Sequence, residues 1–197
     1  YGITGGFCSP MDLAISPEDI IFVLSRGFGY EIEGYFGDVG NRIGKTTIDE
    51  NHFGDFARNG TTWPNSIAIS SDGNIFCSDE YENTIYVFGP DGIYPFPEAN
   101  EKGESILKWG ISGSNPGEIN GPTGLAFNKE NNLYVVDSKN NRIQLFSDTG
   151  EFIKTWGSGG NSYGEFSYPW GIYIYSEDNI YVADWGNDRV QKFNSEG

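Results

Sequence analysis

The sequence predicts an all-β protein, a β-propeller of four-stranded antiparallel blades with about four blades carried by its 197 residues. Three observations predict it: a segment that recurs along the chain, a composition rich in glycine and aromatics, and strand runs that are apolar almost without interruption. Internal repetition at a period of a few tens of residues is the signature of arrays whose units cannot bury their apolar surface alone.

The recurring segment begins at a proline. PMDLAIS (10–16), PNSIAIS (64–70), PTGLAFN (122–128) and PWGIYIY (169–175) align with one another. Each leads through a turn into a second run, EDIIFVLS (18–25), DGNIFCSD (72–79), ENNLYVVD (130–137) and EDNIYVAD (177–184). Pro10 to Ser25, Pro64 to Asp79, Pro122 to Asp137 and Pro169 to Asp184 are each fifteen residues apart, a constancy that unrelated segments do not keep. A third strand follows a short Asn- or Gly-containing turn as NTIYVF (83–88), NRIQLF (141–146) and DRVQKF (188–193). A fourth is read in SILKW (105–109) and EFIKTW (151–156), each ending in Trp-Gly. Between that Gly and the next Pro lies a Gly-acid-apolar tripeptide, Gly117-Glu118-Ile119 and Gly164-Glu165-Phe166, with Gly54-Asp55-Phe56 as a weaker copy. Four strands in each of these 47- to 58-residue units is the content of a propeller blade.

Composition agrees. Fourteen Phe, twelve Tyr and five Trp need a packed interior, and 28 Gly with a single Met favour short strands and tight turns over long helices. Asp72-Gly73 and Thr149-Gly150 supply the positive φ of hairpin turns. Runs such as Leu133-Tyr134-Val135-Val136 fit a sheet covered on both faces, whereas Lys154 and Thr155 among Phe152, Ile153 and Trp156 fit an outer strand near water.

The formal charge of −16, from 28 acidic and 12 basic residues, repels phosphate backbones and anionic headgroups, so neither nucleic acid nor membrane insertion is expected. No apolar run approaches the roughly 20 residues of a membrane span. Cys8 and Cys77 fall in different blades, Cys77 at the position of Val135, Val182 and Val23, and both read as free thiols. They leave the compartment open, with a secreted or periplasmic location preferred.

P-x-G-I/L-A, then N-x-Y-V-x-D, an Asn-containing turn and R-I-Q-x-F together resemble the NHL repeat. The resemblance spans nearly the whole chain. It is best in the third and fourth copies. The second has Thr84 at the Arg position, and the first has Ser25 for Asp and no clear R-I-Q-x-F. It implies a single propeller region over 1–197, with blades starting near Pro10, Pro64, Pro122 and Pro169 and residues 1–9 ending a preceding blade. NHL propellers commonly close with six blades, so an excerpt of a longer array is expected; self-association of two chains to complete the ring, or a small four-bladed ring, are the alternatives.

The repeated acids Asp79, Asp137 and Asp184 end second strands, and Arg142 and Arg189 follow the latter two by five residues. A charge-assisted hydrogen bond across the turn is the simple reading. The functional alternative is that the acids face the axis and hold a divalent cation such as calcium; otherwise no cofactor is expected. His52, the only histidine, lies in the stretch 38–62, read as a long connection on the face where propellers bind ligands. With Arg42, Lys45 and Arg58 it concentrates positive charge that would attract an anion. Trp63, Tyr81, Trp170 and Trp185 fall on the same face, as a ligand or partner surface or as packing between blades. Residues 95–104 lengthen the third-to-fourth-strand hairpin of the second copy by eleven residues and should project from the opposite face.

One histidine and no cysteine cluster cannot build a three-histidine zinc site, and no Ser-His-Asp or Cys-His grouping is evident. The leading expectation is therefore a non-catalytic binding or scaffold module for a protein or small ligand. The alternative that the resemblance implies is an enzyme of the NHL-like propeller set, which includes peptidyl-hydroxyglycine amidating lyases, streptogramin-type lyases and, more distantly, calcium-dependent lactonases. A carboxylate site with Asn65 would need no histidine.

Overall fold

A computed structural model describes residues 10–26, 42–47, 52–55, 61–89, 105–175 and 179–197. Their strands form four antiparallel sheets in which sequence order is spatial order, and a short parallel pair, Ser158–Gly159 with Glu165–Phe166, in the connection between the last two. Blade 1 comprises Pro10–Ile15, Ile20–Ser25, Arg42–Thr47 and His52–Asp55. Blade 2 comprises Pro64–Ile69, Ile75–Asp79, Thr84–Phe88 and Leu107–Trp109. Blade 3 runs Pro122–Phe127, Leu133–Asp137, Arg142–Phe146 and Phe152–Trp156. Blade 4 runs Pro169–Tyr175, Asn179–Asp184 and Arg189–Phe193. Residues 1–9 with Cys8, Arg58 and the insertion 95–104 lie outside the described residues.

In blades 2 and 3 the first turn is set by a short polar side chain. Ser70 Oγ accepts the Asn74 N–H (3.0 Å), and Asn128 Oδ1 accepts those of Glu130 (3.1 Å) and Asn132 (2.8 Å). Gly73 (φ 84°) and Asn131 (φ 62°) take the left-handed residue that these turns require.

Burial explains the apolar runs residue by residue. Val135 and Leu133 face blade 2, joining Phe76, Ile85 and Val87. Tyr134 and Val136 face blade 4, joining Ile180 and Val182. Consecutive side chains of a strand point to opposite faces, so a sheet covered on both sides must be apolar at every position. In blades 1 and 4 only one face is covered by another described blade, and the pattern alternates: Asn179–Asp184 reads half-buried then buried throughout, and Met11, Leu13 and Ile15 are exposed.

The first and second strands of neighbouring blades are laced to one another by polar groups. Asp12 Oδ2 accepts the Ser66 hydroxyl (2.5 Å) and the Ile67 N–H (2.9 Å), joining blades 1 and 2. Ser78 Oγ donates to Thr123 O (2.6 Å), and Thr123 Oγ1 donates to Trp170 O (2.8 Å), carrying the lacing to blade 4. Gly124 permits this approach, because a Cβ there would sit 2.8 Å from Trp170 O and 2.9 Å from Ile172 N. Cys77 is a free thiol, fully buried.

Blade 1 corrects the sequence reading. The stretch 38–62 is not one connection, since it contains the third and fourth strands of blade 1. Arg42 pairs in register with Ser25, as Arg142 pairs with Asp137 and Arg189 with Asp184, so Arg42 is the repeat arginine in place. Gly54-Asp55, read as a copy of the Gly-acid-apolar tripeptide, lies instead within the outer strand.

Candidate binding face

One face of the blades carries the second-to-third-strand turns and the connections that enter each first strand. Its frame is a polar lock built on the repeat acid. Asp137 accepts the Asn120 N–H (2.6 Å), Asn140 Nδ2 (2.9 Å), Arg142 Nε (2.7 Å) and Gln144 Nε2 (3.0 Å). The two outer guanidinium nitrogens of Arg142 then cross to the connection from blade 2, donating to Ser114 O, Asn115 O and Glu118 O, each at 2.8 Å. Blade 4 repeats the arrangement with Ser167, Asn187, Arg189 and Gln191 around Asp184, and Arg189 reaches Asn161 O, Ser162 O and Glu165 O. In blade 2, where Thr84 stands at the Arg position, the Asp79 carboxylate is held by the N–H groups of Thr62, Trp63, Tyr81 and Glu82.

These carboxylates are therefore engaged inside the blades rather than turned to the axis. Burial pushes Asp137 above the ordinary carboxylate range, against the pull of Asn140, the Asn120 N–H and Arg142. Asp184 has the same set of partners, but there burial is outweighed by the Ser167 N–H, Asn187 and Arg189, and its value falls. The difference follows position: the Arg189 side chain is 28% exposed where that of Arg142 is 10% exposed. Among the described residues no three His, Cys, Asp or Glu side chains converge in a group that could hold a metal ion.

The aromatic residues singled out from the sequence stand on this face and are open to solvent: Trp63 is 50% exposed, Tyr81 74%, Trp170 41% and Trp185 68%. Trp170 and Trp185 form a pair with ring centroids 6.4 Å apart. Trp63 lies beneath the Arg26 guanidinium, 4.6 Å from its ring centroid. Arg26 also donates to Pro64 O (2.7 Å) and to Asn65 Oδ1; Asn65 Nδ2 donates to Glu80 Oε2 (2.9 Å), and Lys139 Nζ sits 3.4 Å from Glu80. A chain of alternating polar groups thus crosses blades 1 to 3.

His52 is not part of this face. It opens the outer strand of blade 1, opposite Thr46, at the end of the blade remote from the second-to-third-strand turns. Lys45 lies within the third strand and Arg42 at its start, so the expected basic loop does not exist as a unit. Sequence reasoning also passed over Arg26 and Tyr168. The signal for Tyr168 was present: it occupies the place that Gly121 holds one blade earlier.

The family model for the NHL repeat matches residues 120–146 and 166–193. No curated protein matches the chain in sequence. Among solved structures, a catalytically inactive virginiamycin B lyase from Staphylococcus aureus with quinupristin is 15% identical, with a TM-score of 0.64 over 100% of this chain and 56% of that one. A protein of unknown function from Bacteroides caccae is 12% identical, with a TM-score of 0.54 over 95% and 61%. Kuenenia stuttgartiensis hydrazine synthase is 14% identical, with a TM-score of 0.56 over 98% and 52%. At such identities the likeness is one of fold. The chain spans little more than half the length of these structures. The NHL repeat is thus shown at those two positions, within a β-propeller fold.

Proposed function

We propose that the chain is a non-catalytic binding module that presents the turn-bearing face of its propeller to a protein or small ligand. The observation that supports this most is the exposure of Trp63, Tyr81, Trp170 and Trp185 together on one face. Large aromatics are ordinarily buried, and where they stand in water on a rigid frame they are the residues that dominate binding energy. The frame is rigid because the polar groups behind the aromatics are already bonded to one another, as the Asp184 lock beside Trp185 illustrates. Uncharged aromatic anchors in a chain of net charge −16 also select against anionic ligands at long range.

The test is to capture binders from extract on the immobilised chain, purify the best one, and titrate it against the chain and its Trp170→Ala/Trp185→Ala variant. The variant is expected to bind at least tenfold more weakly, with its thermal transition unchanged, since both side chains are solvent-facing. Equal affinity would remove this face from the account.

A further inference from the structure

We propose that the depression between blades 3 and 4 on this face is a binding site for a neutral carbohydrate. The inference rests on the binding-module reading and gives that module a ligand class.

The depression is shallow and open to solvent, with a volume of about 420 Å³, so a ligand would lie along it with one side in water. Its walls include Asn141, Gly160, Asn161, Ser167, Tyr168 and Asn187, and no charged side chain lines it, although the chain as a whole is 20% charged. One oxygen of the Glu165 carboxylate behind Gly160, Oε2, accepts the Ser162 N–H (2.9 Å).

The neighbouring junction shows that this opening is particular to blades 3 and 4. Both junctions share one backbone device: the Gly121 N–H donates to Asn83 Oδ1 (2.6 Å), and the Tyr168 N–H donates to Asn141 Oδ1 (2.8 Å). Both residues have positive φ, 61° for Gly121 and 48° for Tyr168. Glycine takes that conformation freely, whereas a bulky side chain is strained in it. Strain that the fold tolerates at one copy and avoids at another points to a side chain kept for a purpose. Tyr168 is 54% exposed, so packing does not account for it.

The residue opposite changes in step. Over Gly121 lies the Lys139 side chain, its ammonium beside Glu80, and that junction is covered by a charged pair. In blade 4 the counterpart of Lys139 is Gly186, whose N–H donates to Ser167 O (2.7 Å) and which has no room for a Cβ against Ser167. The cover is thus absent where the tyrosine stands.

What is left suits a sugar. Asn141 uses its carbonyl on Tyr168, and Asn187 uses its amino group on Gly160 O and Asp184, which leaves an amide donor and an amide acceptor for hydroxyl groups that both give and take hydrogen bonds. Tyr168 leads through Pro169 into Trp170, and Trp185 adjoins Gly186 and Asn187, so two exposed indoles, their planes tilted 58° to each other, stand next in the chain to the residues of the depression. A pyranose presents that same pairing of apolar C–H face and hydroxyl rim.

The experiment titrates the chain with neutral cello-, malto-, manno- and chito-oligosaccharides, and with oligogalacturonate as the anionic control, followed by tryptophan fluorescence and calorimetry. At least one neutral oligosaccharide is expected to bind with a Kd of millimolar or tighter and to outbind oligogalacturonate. Tyr168→Gly is expected to weaken binding at least tenfold while its thermal transition stays equal or rises, because the fold already accepts glycine at this place in Gly121. Failure of every neutral sugar, preference for the uronate, or unaltered affinity in Tyr168→Gly would overturn the assignment. If the sugars fail while the Trp170→Ala/Trp185→Ala variant still loses its captured partner, the carbohydrate assignment falls and the binding-module reading stands.

Discussion

Replacing Asp137 by Ala is expected to lower the free energy of unfolding by about 3–5 kcal/mol, read from urea denaturation at neutral pH. The carboxylate is wholly buried, and four donors converge on it. Without it the Arg142 guanidinium keeps its charge in a site where little water reaches, and the Gln144 amide loses one of its two acceptors. Leaving one member of a buried pair is costlier than never having built the pair, because the desolvation of the survivor is no longer offset. The damage spreads along the chain, since Arg142 also fixes the connection from blade 2 through Ser114, Asn115 and Glu118. Asp184→Ala should cost less, for Arg189 is closer to solvent and water can take over its guanidinium. A loss under about 1 kcal/mol for Asp137→Ala, or a larger loss for Asp184→Ala, would contradict this account of the lock.

Phe146→Ala is expected to cost a comparable amount, about 3–5 kcal/mol. The ring is 1% exposed and sits 4.9 Å from Trp109 and 6.0 Å from Phe152, centroid to centroid. Trp109 belongs to the outer strand of blade 2, so the cavity opens on the seam between two blades and cannot close without moving one of them. The loss of transfer free energy is therefore joined by a cavity term. Trp109 should gain solvent and shift its fluorescence to the red in the same variant. Phe152→Ala, on the exposed side of the same cluster, is expected to cost about 1 kcal/mol, in line with its partial exposure. Equal costs for the two phenylalanines would argue against the seam as a source of stability.

Most of the fold was legible because a repeat tests each position several times. The prolines at 64, 122 and 169 open first strands, and the fixed spacing to Asp79, Asp137 and Asp184 places the second strands without reference to propensity. Blade 1 was half-read for a physical reason: 16 residues separate Ser25 from Arg42, where four separate Asp137 from Arg142, and spacing ceases to guide across so long a connection. With the register lost, His52 was assigned to the wrong end of the blade. The face was harder still. That Asp137 and Arg142 bracket a short turn is local information, whereas the reach of Arg142 to Ser114, Asn115 and Glu118 depends on how two blades meet. The depression at Tyr168 is likewise a property of a junction, and its only sequence trace is the paired exchange of Gly121 and Lys139 for Tyr168 and Gly186.

The claim on which all of this depends is that blades 2 and 3 are each clamped between neighbours by stacked apolar faces. Amide hydrogen exchange at the level of single residues tests it most directly, because protection reports how deeply a strand must be opened. The slowest amides are expected in Ile75–Asp79 and Leu133–Asp137, with faster exchange in the outer strand Phe152–Trp156 and in Ile20–Ser25 of blade 1. Rapid exchange through Leu133–Asp137, or greatest protection in Phe152–Trp156, would contradict the stacked arrangement.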